Sequence, residues 1–425
     1  MNSVKPLMMS RFCCLLAIIF IHNTLQAEIF DLGGMYTQHY RDGRYADWGK
    51  YSRIGAQIAI NRVNESKMLG EDKLRMMPEN IIDYHCWIEN VDVMVKTLTE
   101  KPIIAITGAE CSDPAVIMAD LGALYDIPII SYGANASRLS SASKYPWFAR
   151  VVSPSETYEG YLIKLVAHFN IKDIAYFHTT DAWGEGANRV VQSTAKKNNI
   201  NIIKKYAFAR DTSQAILDTY IKELKTLGIK HIVITTPTPD TVKIFKAIHK
   251  YGMNQPGNSL YAAELILDNE DLDAVNGSIG YFAPIAKLYR TEVLAAYIND
   301  FKLYTGESIN IESGNFIYSA LSYDHIMLIA NTIKLIKNEK IAVNRNNIQQ
   351  FMKKVNFEGA SGNISFSPGS NDRFNMPIQI MNSHGVNIDG KMNFVQIAEI
   401  NQKTGQLEVY NDKILWPGNT KDHPQ

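Results

Sequence analysis

Residues 102–137 read PIIAITGAECSDPAVIMADLGALYDIPIISYGANAS, and this stretch holds two short apolar runs on either side of a longer segment. Pro102–Thr107 and Ile127–Tyr132 are almost wholly apolar, and Pro102 occupies the first position, where a strand tolerates proline. Short runs of this kind suit parallel strands that are covered on both faces. The stretch therefore predicts a strand, a helix and a second strand.

The same alternation continues through the middle of the chain. Apolar runs recur at 173–177 and 231–235, and apolar residues at helical spacing occupy 158–169 and 216–227. Strands that alternate with helices predict a doubly wound α/β architecture, and the chain is long enough for two such sheets. After Phe357, short β-type runs replace the helices, most clearly at 376–381 and 394–400.

The composition narrows the class of partner. The 425 residues include 43 basic and 43 acidic side chains, and this balance argues against a nucleic-acid binder, which normally carries a basic excess. No internal stretch approaches the roughly 18 apolar residues of a membrane span. We therefore expect a small-molecule or protein partner and no nucleic acid.

The first 27 residues have the pattern of a secretory signal peptide. Lys5 and Arg11 precede an apolar core at Phe12–Ile21, and Leu25-Gln26-Ala27 forms a passable cleavage site. An uncleaved membrane anchor is the alternative. The signal predicts a secreted or periplasmic protein.

Two cysteines, Cys86 and Cys111, follow the signal peptide. In an oxidising compartment an isolated pair usually forms one disulfide, although two buried free thiols remain the alternative. No His/Cys cluster accompanies the pair, so we expect no metal site. The sequence also lacks a Walker loop and the GxSxG, HExxH and GxGxxG motifs, so we expect neither an enzyme nor a bound cofactor.

Several predicted strands end in small polar loops, which is where open α/β sheets bind ligands. Ser112 or Asp113 suits the N-cap of the helix after the first strand, and that helix N-terminus offers N–H donors to an anion. Asn135, Trp183 and Glu264 follow other strands. The alternatives are that Ser112 only caps its helix and that the other three belong to turns, surface packing and a solvated charge.

Five segments together carry a resemblance to a known family: IPIISYGANASRLS (127–140), FARVVSPSETY (148–158), HTTDAWGEG (178–186), GASGNISFSPGSNDR (359–373) and ILWPGN (414–419). In order and spacing they resemble the extracellular ligand-binding region of class C receptors, such as metabotropic glutamate and GABA-B receptors. That region is similar to the type I periplasmic-binding-protein family, which includes branched-chain amino-acid-binding proteins. The resemblance runs from about Gly33 to Trp416.

The resemblance implies two doubly wound, Rossmann-like lobes that face each other across a cleft, as in a Venus flytrap. Three crossings join the lobes, and ligand binding closes the cleft by hinge motion. Lobe 1 would contain 28–152 and 285–360, lobe 2 would contain 153–284 and 361–416, and 417–425 would form a tail. The spacing of Cys86 and Cys111 is similar to that of a disulfide in the GABA-B ectodomain, which supports the oxidised alternative.

The resemblance also implies a set of ligand-binding residues. Ser112 and Asn135 correspond to residues that hold the ligand's α-carboxylate, and Gly133 to one whose backbone contacts the ligand. Asn135 departs from the Thr or Ser of the receptors, but its amide can still donate. For a glutamate side chain, Arg44 and Arg138 are the basic candidates in the sequence.

The ammonium group would lie among a second set of residues. Glu156 and Glu264 correspond to acids beside the ligand's ammonium, Trp183 to a Tyr that stacks on it, and Trp48 to a position near the cleft. We expect charge-assisted hydrogen bonds at both ends of an amino acid or similar zwitterion.

Two functions follow from this pattern. The first is a solute-binding protein that delivers an amino acid to an ABC permease or a membrane sensor. The second is a soluble receptor-like ectodomain that acts through dimerisation or a protein partner. Oligomeric state distinguishes them, because transport binding proteins are usually monomers and receptor ectodomains usually dimerise.

Overall fold

The computed structural model describes residues 27–41, 43–264, 272–307, 310–311, 313–388, 392–401 and 404–424. The expected signal peptide lies outside the described residues, apart from Ala27.

A parallel sheet forms the centre of the first lobe. Its strand order is β2-β1-β4-β5-β6, and β3 also pairs with β1. The strands are β1 (Ile29–Tyr36), β2 (Lys73–Arg75), β3 (Ile81–Asp83), β4 (Ile103–Thr107), β5 (Ile129–Ser131) and β6 (Phe148–Arg150). The helices between them are α1 (Asp47–Glu65), α2 (Val91–Thr99) and α3 (Ser112–Leu124).

The second lobe begins with a further series of parallel strands. These are β7 (Asp173–Thr179), β8 (Asn201–Phe208), β9 (His231–Thr235), β10 (Ser259–Ala262) and β11 (Phe282–Ala286). The described helices of this series are α4 (Ser155–His168), α5 (Ala182–Lys197), α6 (Gln214–Thr226), α7 (Thr238–Lys250) and α8 (Leu272–Gly277).

The chain then returns to the first lobe. The returning helices are α9 (Glu292–Thr305), α10 (Gly314–Asn338) and α11 (Arg345–Phe351), and a small hairpin follows them, β12 (Phe357–Gly359) with β13 (Gly362–Ile364). Helix α10 packs closely against α1 at Gly55, where a Cβ atom would lie 2.0 Å from the carbonyl oxygen of Ser319. A larger residue at position 55 would push the two helices apart.

The last strands complete the second sheet. They are β14 (Ile378–Val386), β15 (Met392–Ile400) and β16 (Leu407–Val409), and they add antiparallel strands to its edge. The described part of this sheet has the order β16-β15-β14-β11-β10-β9-β7-β8. The chain passes between the lobes after β6, after β11 and before β14. The prediction of two doubly wound lobes with three crossings is therefore confirmed.

The predicted strands agree with the observed ones to within a few residues. The run 231–235 has the limits of β9, whereas the run 127–132 contains the shorter strand β5. The predicted helices at 158–169 and 216–227 correspond to α4 and α6. The late β-type runs correspond to β14 and β15.

The segment before β14 packs against the first lobe. The buried guanidinium of Arg150 donates to Asp372, and the side-chain amide of Asn371 donates to the carbonyl oxygens of Leu139 and Tyr145. Arg373 donates to the carbonyl oxygen of Val151 at 3.3 Å. The lobe limits remain a proposal, and these contacts argue for moving the start of the second part of lobe 2 from 361 to after Arg373.

Candidate functional site

A cavity lies between the lobes, beside the carboxyl ends of strands from both sheets. Parallel strands direct their carboxyl ends to one edge, so the loops after β4, β5, β7, β8, β9 and β10 meet there. Helix α10 and the start of α1 add an apolar and aromatic wall. Of the seven expected ligand residues, six line the cavity: Trp48, Ser112, Gly133, Asn135, Trp183 and Glu264.

The first-lobe wall contains Ser112 and the loop 133–137. Helix α3 begins at Ser112 and its N-cap is Cys111, so the expectation that Ser112 or Asp113 caps the helix is wrong. The Ser112 hydroxyl instead accepts a hydrogen bond from the backbone N–H of Ala136 at 3.1 Å. This hydrogen bond connects the first turn of α3 to the loop 133–137. Hydrogen-bond donors of both elements therefore lie together on the first-lobe wall of the cavity.

The loop 133–137 is held from below by buried polar groups. The Ser131 hydroxyl donates to the carbonyl of Ala109 at 2.5 Å and accepts from the N–H of Ala134 at 3.0 Å. Arg150 donates to the carbonyl oxygens of Ala134 and Ala136 at 2.9 and 3.0 Å. Because these groups fix the backbone on both sides of Asn135, its side chain is presented to the cavity by a rigid loop.

Glu110 also lines the cavity, and it is not among the ligand residues predicted from the sequence. Its carboxylate accepts from the backbone N–H of Thr37 at 2.9 Å and from the hydroxyl of Tyr132. Burial raises the pKa of Glu110. The residue lies in the loop after β4 beside Ser112, so its position at a strand end was the available signal.

The second-lobe wall carries acids and an indole ring. The Oε2 atom of Glu264 accepts from the backbone N–H of Thr238 at 2.8 Å and from its hydroxyl at 2.7 Å. Burial raises the pKa of Glu264. Asp181 caps α5 by accepting from the N–H of Gly184 at 2.7 Å, and Trp183 follows in the first turn of that helix.

Glu156 does not reach the cavity. It is exposed and absent from the lining residues, whereas Tyr158 and Glu159 on the same helix are buried. Successive residues of a helix point about 100° apart, so Glu156 and Glu159 point about 60° apart, which places Glu156 on the exposed side of α4 and Glu159 on its buried side. Glu159 receives a hydrogen bond from the indole N–H of Trp183 at 3.2 Å.

Arg210, which follows β8, is a basic residue among the described residues that line the cavity. Arg44 and Arg138, the candidates from the sequence, are not among the residues that line it. Arg210 Nε lies 3.9 Å from Asp181 Oδ2, and a second guanidinium nitrogen donates to the carbonyl oxygen of Cys86 at 3.3 Å. Its charge is thus partly compensated by groups of the protein.

Aromatic rings form the end of the cavity near α10. The indole N–H of Trp48 donates to the hydroxyl of Tyr40 at 2.7 Å, and the rings of Trp48 and Tyr318 lie 6.1 Å apart. Tyr158 also lines the cavity. Rings of this kind offer apolar surface and a π face to a ligand.

Direct contacts between the described parts of the two lobes lie beside the cavity. The carboxylate of Asp113 accepts from the backbone N–H of Ala182 at 2.6 Å, and Arg210 contacts Cys86 as described. Cys86 and Cys111 form a disulfide, which confirms the oxidised alternative and links the loop around Cys86 to the start of α3.

Within the part of the chain that the structure describes, no group of three or more His, Cys, Asp or Glu side chains could hold a metal ion. The same residues contain no helix that is long and apolar enough to cross a membrane.

Comparisons with known proteins agree with this architecture. The family model described as "Receptor family ligand binding region" matches residues 52–385. Among curated proteins, the chain is 20% identical over 421 residues to Glutamate receptor 3.7 of Arabidopsis thaliana, covering 89% of this chain and 44% of the receptor. It is 23% identical over 174 residues to the Metabotropic glutamate receptor of Drosophila melanogaster, covering 41% of this chain and 18% of the receptor.

A third relative, Metabotropic glutamate receptor 4 of Rattus norvegicus, is 26% identical over 159 residues, with 37% of this chain and 17% of the receptor covered. The chain thus spans less than half the length of each of these relatives. The family model matches more than half of the chain, and the fold has the two lobes that the family resemblance implies. The chain therefore belongs to the family described as "Receptor family ligand binding region".

Proposed function

We propose that the chain binds an amino acid or a similar small zwitterion between its lobes and delivers it to an ABC permease or a membrane sensor, in a secreted or periplasmic setting. The observation that carries the proposal is the chemistry of the two walls. Ser112 and Asn135 on the first lobe can serve a carboxylate, and Glu264 on the second lobe can serve an ammonium group.

A bound zwitterion would connect the lobes. Its carboxylate would lie near the first turn of α3 and the loop 133–137, and its ammonium near Glu264 and the ring of Trp183. A ligand that contacts both walls binds the closed arrangement more tightly than the open one, and this difference in affinity is what drives hinge closure. Exclusion of water from the closed cavity strengthens the charge-assisted hydrogen bonds to the ligand.

A thermal-shift screen of the purified chain against the L-amino acids and common amine metabolites tests the proposal. A ligand that binds only the folded chain raises the melting temperature by mass action. We expect at least one amino acid to do so, and no shift from any compound would contradict the proposal.

The role of Glu264 is tested by Glu264→Gln, which keeps the size of the side chain and an acceptor for Thr238. Loss of a hydrogen bond to a charged group costs about 1.5–3 kcal/mol, so affinity should fall by roughly ten- to a hundredfold. The matched control is Glu339→Gln, because Glu339 is an exposed acid at the end of α10 and is not among the residues that line the cavity. The affinity of this variant should stay within about twofold of that of wild type. Equal effects of the two variants would contradict the assigned site.

The second candidate is a receptor-like ectodomain, and the names of the relatives favour it. Sedimentation of the purified chain with and without the amino acid found in the screen separates the two. A monomer in both conditions favours delivery of a solute. A dimer, or a dimer formed on binding, favours the receptor-like role.

A further inference from the structure

Glu159 has an unusual position behind the cavity. Its side chain is fully buried in α4, and Oε1 accepts the indole N–H of Trp183 at 3.2 Å. Oε2 has no hydrogen-bond partner among the described residues. Burial of an ionised carboxylate with one oxygen unpaired costs free energy. The protonation state of the Glu159 carboxyl therefore depends on the charges near it.

Trp183 connects this buried carboxyl to the ligand space. The indole ring lines the cavity, while its N–H points away from it to Glu159. The π face of an indole attracts cations, and a negative acceptor on the N–H adds to that attraction by making the ring more electron-rich. The charge of Glu159 can therefore change the affinity for a ligand that contacts the Trp183 ring without contacting Glu159.

The groups around Glu159 favour its neutral form in the absence of a cation. Burial raises the pKa of Glu159 to about 8, although hydrogen bonds, among them the one from Trp183, act to lower it. The negative charges of Glu156, on the same helix, and Glu264, after β10, raise it further. Among the described residues, the hydroxyls of Tyr158 on α4 and Tyr176 on β7 also interact with the charge of Glu159. An ammonium group against Trp183 would favour the ionised carboxylate instead.

We propose that Glu159 is a positioning residue that selects ligands with an ammonium group, by holding the ring of Trp183 and by becoming ionised when the ammonium lies against that ring. The O–H bond of the carboxyl breaks on binding, and the proton passes to solvent. This inference rests on the proposed function of the cavity, and it adds a residue and a proton that the ligand set from the family resemblance does not contain.

The first experiment needs no ligand. Tryptophan fluorescence of the purified chain is followed from pH 6 to pH 10, and we expect a transition near pH 8 as the carboxyl beside Trp183 ionises. Glu159→Gln, which keeps an acceptor for the indole, and Trp183→Phe should both remove the transition. The matched control Glu156→Gln should retain the transition but move it to lower pH, because it removes one of the charges that raise the pKa of Glu159. The same curve in wild type and Glu159→Gln would overturn the inference.

The second experiment measures the proton released on binding. The probe is the L-amino acid with the largest thermal shift in the screen of twenty, titrated by calorimetry in phosphate and in Tris between pH 6.5 and pH 8. Linkage of one proton predicts that the wild-type affinity rises by up to about tenfold per pH unit over this range. The affinity of Glu159→Gln should rise less steeply, by up to about tenfold less per pH unit, because this variant lacks the proton of Glu159.

The outcomes separate the inference from the proposed function. Binding with the same pH dependence and proton release in wild type and Glu159→Gln would overturn the role of Glu159 and leave the proposed function standing. Failure of every amino acid to bind the folded wild-type chain would overturn the proposed function, and the selection of ammonium ligands with it.

Discussion

Replacement of Arg150 by lysine tests how the loop that carries Asn135 is supported. Arg150 is completely buried and donates through all parts of its guanidinium group. The partners are Asp372 Oδ1 at 2.7 Å, Ser140 Oγ at 2.8 Å, and the carbonyl oxygens of Ala134 and Ala136 at 2.9 and 3.0 Å.

The magnitude follows from the number of acceptors that lysine cannot reach. An ammonium group keeps the positive charge but is a point donor, whereas the guanidinium is a planar fork. Lysine placed beside Asp372 would leave at least the two carbonyl oxygens without their donor. An unsatisfied buried acceptor costs about 1–3 kcal/mol, so the loss of a donor to two carbonyl oxygens in Arg150→Lys should lower the free energy of unfolding by about 2–6 kcal/mol.

Urea unfolding followed by circular dichroism measures this difference. The matched control is Arg138→Lys, because Arg138 lies in the same loop region and is exposed, and its effect should stay within about 0.5 kcal/mol. Arg150→Lys should also weaken binding of the amino acid found in the screen. An unfolding free energy of Arg150→Lys within about 0.5 kcal/mol of wild type would refute the argument that Arg150 holds this loop.

Two further predictions concern stability. Replacement of both Cys86 and Cys111 by alanine removes a disulfide between residues with a sequence separation of 25. Because the unfolded chain is then less constrained, the free energy of unfolding should fall by about 3 kcal/mol. An unchanged midpoint of urea unfolding would contradict this. Burial raises the pKa of Asp324 to about 6, so the folded chain holds this proton more tightly than the unfolded chain, whose carboxyl titrates near 4. The stability that Asp324 contributes is therefore present below about pH 4 and lost as the pH rises to 6. Unfolding free energies of wild type relative to Asp324→Asn should fall by up to about 3 kcal/mol over that range, and a constant difference would count against the raised pKa.

The sequence predicted the parts of the site that depend on strand ends. Ser112, Gly133 and Asn135 follow β4 and β5, and parallel strands bring such residues to one edge regardless of the details of packing. Apolar runs and helical spacing were strong enough to predict the α/β alternation and most strands to within a few residues.

The remaining features depend on contacts between distant segments. Arg210 reaches the cavity because the loop after β8 approaches Cys86 on the other lobe, which no local pattern encodes. Glu156 and Glu159 lie within one turn of α4, and which of them is buried depends on how that helix is rotated against its neighbours, which a motif match does not determine. Asp372, which accepts a hydrogen bond from Arg150, is far from it in sequence. The contact that positions Arg150 below the loop 133–137 could therefore not be predicted from a local pattern.

Recognition of a zwitterion between the lobes is tested most directly by calorimetry with three forms of the best amino acid from the screen: the free amino acid, its N-acetyl derivative and its α-amide. We expect the free amino acid to bind and each derivative to lose most of the affinity, because one lacks the ammonium group and the other lacks the carboxylate. Binding of the N-acetyl derivative or the amide as tight as that of the free amino acid would contradict recognition of a zwitterion between the lobes.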